Sequence, residues 1–276
     1  MHKIEKVTLP TVKHIIAIAS GKGGVGKSTV ATNLALAFAH SGIKTALVDA
    51  DLFGPSIPTL FEVEGQRCIV DQTSEKVLLP IEKFGIKLMS IGFLVDAEQP
   101  LIWRGPMASS TLLQLFNETL WGDIDIMVVD LPPGTGDIPL TLCQQIDVNG
   151  IIIVTTPQIL ALSDVQKAIS MFNNKDLKIP VWGIIENMAW FTPSEHPDEK
   201  YYLFGKDGGK TLAAKFNTEL LAQIPLVQMI EHTKEGSINH YTQNKIITDS
   251  YKQLLNKIKT HLTKLSNITI NKEDKL

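Results

Sequence analysis

Cysteine is scarce in this sequence. Its 276 residues include two, Cys68 and Cys143, too few for a disulfide scaffold and in keeping with a reducing cytoplasm. An excess of charge of one sign is also missing. Lys+Arg 26 against Asp+Glu 29 leaves a formal net charge of −3, which argues against a chain that coats nucleic acid. No apolar run reaches the roughly 18 residues that a membrane-spanning helix needs. The N-terminus, MHKIEKVTLP, carries Lys3, Glu5 and Lys6 with no apolar stretch behind them, so it does not read as a secretory leader. Internal repeats and linkers rich in Pro, Gly or Ser are absent as well. These absences predict one soluble, cytoplasmic unit whose partners are neither nucleic acid nor membrane.

What is present is a globular composition, 44% hydrophobic and 20% charged, patterned as alternating strands and helices. His14 to Ser20 is a compact apolar run ending in glycines, the pattern of a strand buried on both faces. From Lys27, Val30, Leu34, Ala37 and Phe38 recur at helical spacing, and Gly42 closes the helix. Lys44 to Asp49 is a second buried strand, which completes a right-handed βαβ unit. Further strands are predicted at 76–79, 86–91, 124–130, 149–155, 180–186 and 220–224, and helices at 108–120, 163–173 and 246–265. A polar and aromatic loop is expected over 190–210 and a frayed tail over 266–276. The fold class expected is α/β, a mostly parallel sheet with helices on both faces.

The sharpest signal is Gly21-Lys-Gly-Gly-Val-Gly-Lys-Ser28, which fits G-x-x-x-x-G-K-[ST] in full. A buried strand precedes it and an amphipathic helix follows, the context a phosphate-binding P-loop requires. Gly23, Gly24 and Gly26 let backbone N–H groups turn inward around phosphate oxygens, and the helix N-terminus adds its positive end. Lys27 is expected on the β- and γ-phosphates, the Ser28 hydroxyl on Mg²⁺ and Thr29 near the α-phosphate. Lys22 is a further lysine that an ordinary P-loop does not need. With it, the loop including Val25 resembles the deviant Walker A loop of the MinD/ParA/NifH class. The resemblance implies that Lys22 crosses a dimer interface to the partner's nucleotide.

Three carboxylates lie at strand ends. Asp49 and Asp51 close the second strand, and Asp130 closes Ile124 to Asp130. A carboxylate there orders the waters of Mg²⁺ or polarises an attacking water. Asp130 reads as the Walker B carboxylate, and Leu131-Pro-Pro-Gly134 as a switch loop whose Gly134 N–H is aimed at the γ-phosphate. Asp137 reads equally as a polar neighbour or a turn residue. In the resembling class Asp51 has the catalytic role and Asp49 supports the metal shell. The one N-K-x-D match, Asn271 to Asp274, lies in the polar tail, whereas Glu186-Asn187-Met188 follows the fifth main strand. Asn187 hydrogen-bonding adenine, with backbone contacts from Ile224-Pro225, makes ATP the expected nucleotide rather than GTP.

The order VDADLFGPSIP at 48–58, WRGPM at 103–107, VVDLPPGTGD at 128–137, TTPQ at 155–158, ENM at 186–188, FGKDGG at 204–209 and IPL at 224–226 is more specific than the P-loop. Together these motifs resemble the Mrp/ApbC family of ATP-hydrolysing iron–sulfur cluster carriers, over about residues 12–240. The resemblance implies a homodimer that holds a [4Fe–4S] cluster between its subunits and passes it to apo-proteins. Many members carry a further N-terminal domain. Here thirteen residues precede the first predicted strand, so one ATPase domain over 1–265 is expected, without that extra domain. The family usually also has C-P-x-C a few residues after E-N-M. Here the matching positions are Thr192, Pro193, Ser194 and Glu195, which leaves the cluster ligands unassigned. Cys143 reads as a buried packing thiol, Cys68 as a lone one and His196 as a solvated loop residue. The aromatic loop carrying Trp190, Phe191, Tyr201, Tyr202 and Phe204 reads equally as a partner surface or a small local core.

Two alternatives stay open on the sequence. One is a positioning ATPase of the MinD/ParA type, a binding switch for membrane or DNA, for which the closing helix offers an apolar face (Ile246, Ile247, Tyr251, Leu254, Leu255, Ile258, Leu262, Leu265) beside Lys252, Lys257, Lys259 and Lys264. The other is a nucleotide-gated scaffold with no cluster of its own.

Overall fold

Along β1 (Val12–Ser20) successive side chains point to opposite faces of the sheet, and both faces are apolar. Ile16 and Ile18 join one buried cluster, while Ile15, Ala17 and Ala19 join another. The strand is therefore central, with helices above and below. The computed structural model describes residues 6–71, 77–94, 105–174, 177, 179–193, 195–196, 198–227 and 244–273. After β1 come α1 (Lys27–His40), β2 (Thr45–Asp49), α2 (Ile57–Leu60), β3 (Ile69–Asp71), β4 (Val77–Leu79), β5 (Ile81–Lys83), β6 (Ile86–Ser90), α3 (Gly105–Asn117) and β7 (Ile124–Asp130). They are followed by α4 (Asp137–Gln145), β8 (Gly150–Thr155), α5 (Ile159–Phe172), β9 (Val181–Thr192), α6 (Gly208–Lys215), β10 (Glu219–Val227) and α7 (Lys245–Glu273).

The main sheet has eight strands in the order β10-β9-β8-β1-β7-β2-β6-β5. Every pairing is parallel except that of β5 with β6, and β3 and β4 form a separate antiparallel pair. The expected α/β class is the one observed. One face is covered by α1 through Val30, Leu34 and Phe38 and by α7 through Tyr251, Leu254, Leu255 and Ile258. The other is covered by α3 through Leu112 and Phe116, α4 through Leu142, α5 through Ala168 and Phe172, and α6 through Leu212.

The main differences from the sequence expectation lie at element ends. The predicted strand 180–186 continues as β9 to Thr192, and 220–224 widens to β10 (Glu219–Val227). The register between them jumps from the Asn187–Ile224 pair to the Phe191–Leu226 pair, and Met188 takes a φ of 54° inside that irregularity. Such a bulge breaks the two-residue alternation by which a strand is recognised. The predicted loop 190–210 is accordingly shorter, ending where α6 starts at Gly208. The backbone of α7 continues to Glu273, beyond the boundary expected at 265. Trp103 and Arg104 of the WRGPM motif, and Lys76 at the head of a predicted strand, lie outside the described residues.

Candidate functional site: a phosphate-binding cleft at the strand ends

The site forms where β1, β2 and β7 end side by side. Parallel register sets Ile18 opposite Asp130, Asp49 opposite Asp130 and Asp49 opposite Ser90. In open α/β sheets ligands bind at the carboxyl ends of the strands, and three polar strand ends meet there here. From β1 the chain turns through residues 21–26 into α1. Gly24 and Gly26 hold φ of 77° and 78°, the left-handed region that favours glycine. Gly26 is the residue before the helix and has no side-chain cap, so the first helical N–H groups are left for a ligand.

The loop is braced on three sides. Gly21 lies so close to α5 that a Cβ there would sit 2.4 Å from the Asp164 carbonyl carbon. Beneath Gly26, Asn187 Nδ2 donates to the Val25 carbonyl at 2.9 Å, and a Cβ on Gly26 would meet that nitrogen at 2.3 Å. Within the loop, Ser20 Oγ donates to the Lys22 carbonyl at 2.9 Å. A Cβ on Gly23 or Gly24 would meet nothing within 4 Å, so this side of the loop faces open space. The resulting cleft, about 250 Å³, is lined by Ser20, Lys22, Gly23, Gly24, Gly26 and Lys27, with Ser28, Thr29, Asp51 and Ser56 along it and Leu60 and Pro133 at its sides.

Lys27 is 6% exposed, and its Nζ lies 2.6 Å from Asp130 Oδ1 and 3.4 Å from Ser28 Oγ. The second Asp130 oxygen, Oδ2, is buried with no hydrogen-bond partner. Burial raises the Asp130 carboxyl above its ordinary range, an effect that the Lys27 charge and hydrogen bond oppose. Asp49 is fully buried and pushed up to about 7, by burial first and by the charge of Asp130 second. Its oxygens accept from Asp51 N at 3.1 Å, Ile57 N at 3.1 Å and Ser90 Oγ at 3.2 Å. Asp49 thus ties β2 to the segment 51–57 and to β6. Asp51 stays in the cleft, its Oδ1 accepting from Phe53 N at 3.3 Å.

The structure therefore gathers Gly21 to Thr29, Asp49, Asp51 and Asp130 in one place. Asn187 stands under the loop with its amide nitrogen engaged by protein. Pro225 is buried at the irregularity between β9 and β10 and is not among the residues lining the cleft. One expectation changes. Gly134 N donates to the Ser20 carbonyl at 2.9 Å, so its N–H is bound to the end of β1 and not aimed into the cleft. Lys22 Nζ donates to Gln158 Oε1 of the same subunit at 3.3 Å. Asp137 is exposed at the first turn of α4, a turn role.

Several polar residues of the site escaped sequence reasoning. Ser56 has a buried hydroxyl with no partner at the cleft wall, and Gln158 holds Lys22. Glu186 is fully buried and accepts from Gly209 N at 3.2 Å and Gln223 Nε2 at 2.6 Å. Gly209 approaches so closely that a Cβ would lie 2.8 Å from the Glu186 Cβ, which gives the glycine at 209 a packing reason. The signals available were the motifs 155–158 and 204–209, but motif order does not say which residues touch.

The fold and the cleft define a P-loop NTPase of the MinD/ParA-like kind. The chain belongs to the ParA family described as NUBPL iron-transfer P-loop NTPase, whose model matches residues 11–259. It is 51% identical over 220 residues to the iron-sulfur cluster carrier protein of Aquifex aeolicus, covering 79% of this chain and 59% of that one. It is 49% identical to the iron-sulfur cluster carrier protein of Pseudomonas fragi, covering 83% of this chain and 78% of that one. The iron-sulfur cluster transfer protein NUBPL of Dictyostelium discoideum is 41% identical, with 85% and 71% covered. Among solved structures, a nucleotide-binding protein from Archaeoglobus fulgidus in complex with ADP superposes with a TM-score of 0.67 at 36% identity, covering 90% of this chain and 88% of that one. The cell division ATPase MinD of Pyrococcus furiosus shares the fold, with a TM-score of 0.61 at 18% identity and 90% and 98% coverage.

Proposed function

We propose that this chain is a Mg²⁺-dependent ATPase, working as a homodimer in the cytoplasm, that drives the transfer of iron–sulfur clusters to apo-proteins. Residues 1–265 form its ATPase unit. The observation that carries the ATPase is the buried Lys27–Asp130 pair at 2.6 Å beside Ser28, set under open glycine amides. The iron–sulfur role rests on the family and on relatives named for it.

The residues fit a magnesium ion. Asp130 keeps one buried oxygen without a partner, the Ser28 hydroxyl is adjacent, and two buried carboxylates face one buried lysine. Ser28 and Asp130 would hold the ion, with Asp49 behind them, and the ion would supply charge neutralisation at the phosphate oxygens. The amides of 23–28 and Lys27 bind the phosphates and stabilise the charge that builds on them in the transition state. Thr29 lies at the cleft edge for the α-phosphate, while Asn187 and Pro225 serve the adenine side. Asp51, the least encumbered carboxylate of the cleft, orients the attacking water. Lys22 exchanges Gln158 for the nucleotide of the partner subunit, which makes the dimer the active form.

The test is ATP turnover with Mg²⁺ by wild type and Lys27→Ala. Turnover should fall at least about a hundredfold, the scale on which such charge stabilisation acts. Wild-type turnover in the variant would remove the assignment. The MinD/ParA positioning reading loses its main support, because the apolar face of α7 packs on its own sheet.

A further inference from the structure

The family membership raises the question of where a cluster would be held. Neither cysteine is placed for it. Cys143 lies inside α4, 3% exposed among Leu142, Ile146 and other core side chains, and burial pushes its thiol up to about 12. Cys68 is half-buried with its Sγ 3.5 Å from Met89 Sδ, and burial pushes it up to about 11. Iron–sulfur ligation uses thiolates, and apolar burial disfavours that form.

In the segment where the family resemblance places a cysteine pair, the described residues are tied by backbone hydrogen bonds. Thr192 is the last residue of β9, 6% exposed and paired in register with Val227 of β10. Glu195, three residues on, is exposed. The excursion between them and Tyr201 is tied at its base: Phe191 N donates to the Tyr201 carbonyl at 2.8 Å and Tyr201 N to the Phe191 carbonyl at 2.9 Å. Inside it, His196 N donates to the Pro193 carbonyl and Glu199 N to the His196 carbonyl, at 3.2 and 3.1 Å. Several of its described side chains are engaged with one another. His196 Nδ1 lies 3.8 Å from Glu199, the Tyr201 hydroxyl donates to Glu199, and Lys200 Nζ stands 4.0 Å from the Trp190 ring centre. Among the described residues no group of three or more His, Cys, Asp or Glu side chains is placed to hold a metal ion. The donor set of the described residues does not fit a cluster.

The P-loop is nevertheless joined to this hairpin through β9. Asn187 holds the P-loop at Val25, and the same strand reaches the hairpin's first bond at Phe191. We infer that this chain lends no ligand to a cluster, and that its ATPase acts on a cluster held by the thiolates of another polypeptide. The inference rests on the function proposed above and deepens it: the partner is a cysteine-bearing cluster protein, and this chain supplies the nucleotide-driven change.

The test has two arms. In the first, the full chain is incubated anaerobically with ferrous iron and sulfide and desalted beside a ferredoxin control, and iron, sulfide and the visible spectrum are measured. The expected result is a loaded ferredoxin and no iron retained by this chain. In the second, the chain is added, with and without ATP, to a scaffold protein preloaded with a [4Fe–4S] cluster on its own cysteines and to apo-ferredoxin. Transfer should accelerate several-fold with ATP, and the Lys27→Ala variant should lose that gain. Stoichiometric iron and sulfide on this chain in the first arm would overturn the inference and leave the iron–sulfur function standing. No retained iron together with no ATP effect on transfer would overturn the function, and the inference with it.

Discussion

At the scale of single residues, the site is governed by burial of charge. Lys27 and Asp130 are taken out of water as an ion pair, and Asp49 is held beside them by backbone and Ser90 donors against the repulsion of Asp130. Lys22 is different. It is half-buried at the cleft mouth, and its partner is the neutral amide of Gln158. Leaving a neutral acceptor at 3.3 Å costs little compared with leaving a carboxylate, which suits the change of partner proposed for Lys22. Replacing Lys22 by Ala should leave nucleotide binding by the isolated chain nearly intact and lower ATP turnover at least about tenfold, as loss of a cation supplied across an interface does. Measured kcat and nucleotide Kd separate the two effects, and an unchanged kcat would remove Lys22 from a trans role.

At the scale of elements, α7 and β1 carry the clearest lessons. The apolar stripe of α7 was legible in the sequence, but its destination was not. Ile247, Tyr251, Leu254, Leu255 and Ile258 are buried against the sheet and α1, Leu262 and Leu265 pack beside them, and Ile246 stays 41% exposed. Among the described residues, no helix is long and apolar enough to cross a membrane. β1 was read correctly as a buried strand, yet its first half holds a polar residue with consequences. His14 has a buried Nδ1 without a partner, and its pKa is lowered from 6.5, by burial first and by the Lys13 charge second, against a smaller opposing pull from Asp125. The unfolded chain therefore binds more protons than the folded one just below the ordinary histidine pKa. The contribution of His14 to stability is present above about pH 6.5 and is lost as the pH falls towards the lowered folded value. Thermal unfolding at about pH 7.5 and pH 5.5 should show a smaller acid loss of Tm in His14→Asn than in wild type. Equal losses would assign the acid sensitivity to other groups.

At the scale of the whole molecule, a close approach at the starts of β8 and β9 reaches across to α7. Gly150 opens β8, and a Cβ there would lie 2.0 Å from a Trp182 ring carbon. Trp182 in turn stacks on His261 of α7, ring centres 5.2 Å apart and 10° from parallel. Gly150→Ala should force the indole away, loosen α7 and destabilise the fold by about 1–3 kcal/mol, the usual cost of overpacking a filled core. A Tm within a degree of wild type would show that the ring has room to shift. The same long-range packing brings Asn187 beneath Val25, 162 positions apart in sequence, and joins the nucleotide loop to the outer strands.

The parts that could be read from the sequence are those whose chemistry is contiguous. A phosphate loop needs glycines, a lysine and a serine in consecutive positions at the start of a helix, so residues 21–28 declared it. Buried parallel strands need unbroken apolar runs, so β1, β7 and β8 did too. The pairings were settled by the fold. Lys27 meets Asp130 across 103 positions, Asp49 meets Asp130 because two parallel strands end in register, and Lys22 meets Gln158 because α5 packs under the loop. The segment after β9 belongs to the same group: composition showed aromatics and no cysteine pair, but only the fold shows Thr192 buried in the ladder and Phe191 tied to Tyr201. Contacts of this kind depend on strand register and helix packing, which are set by the whole core at once and by no local stretch of chain.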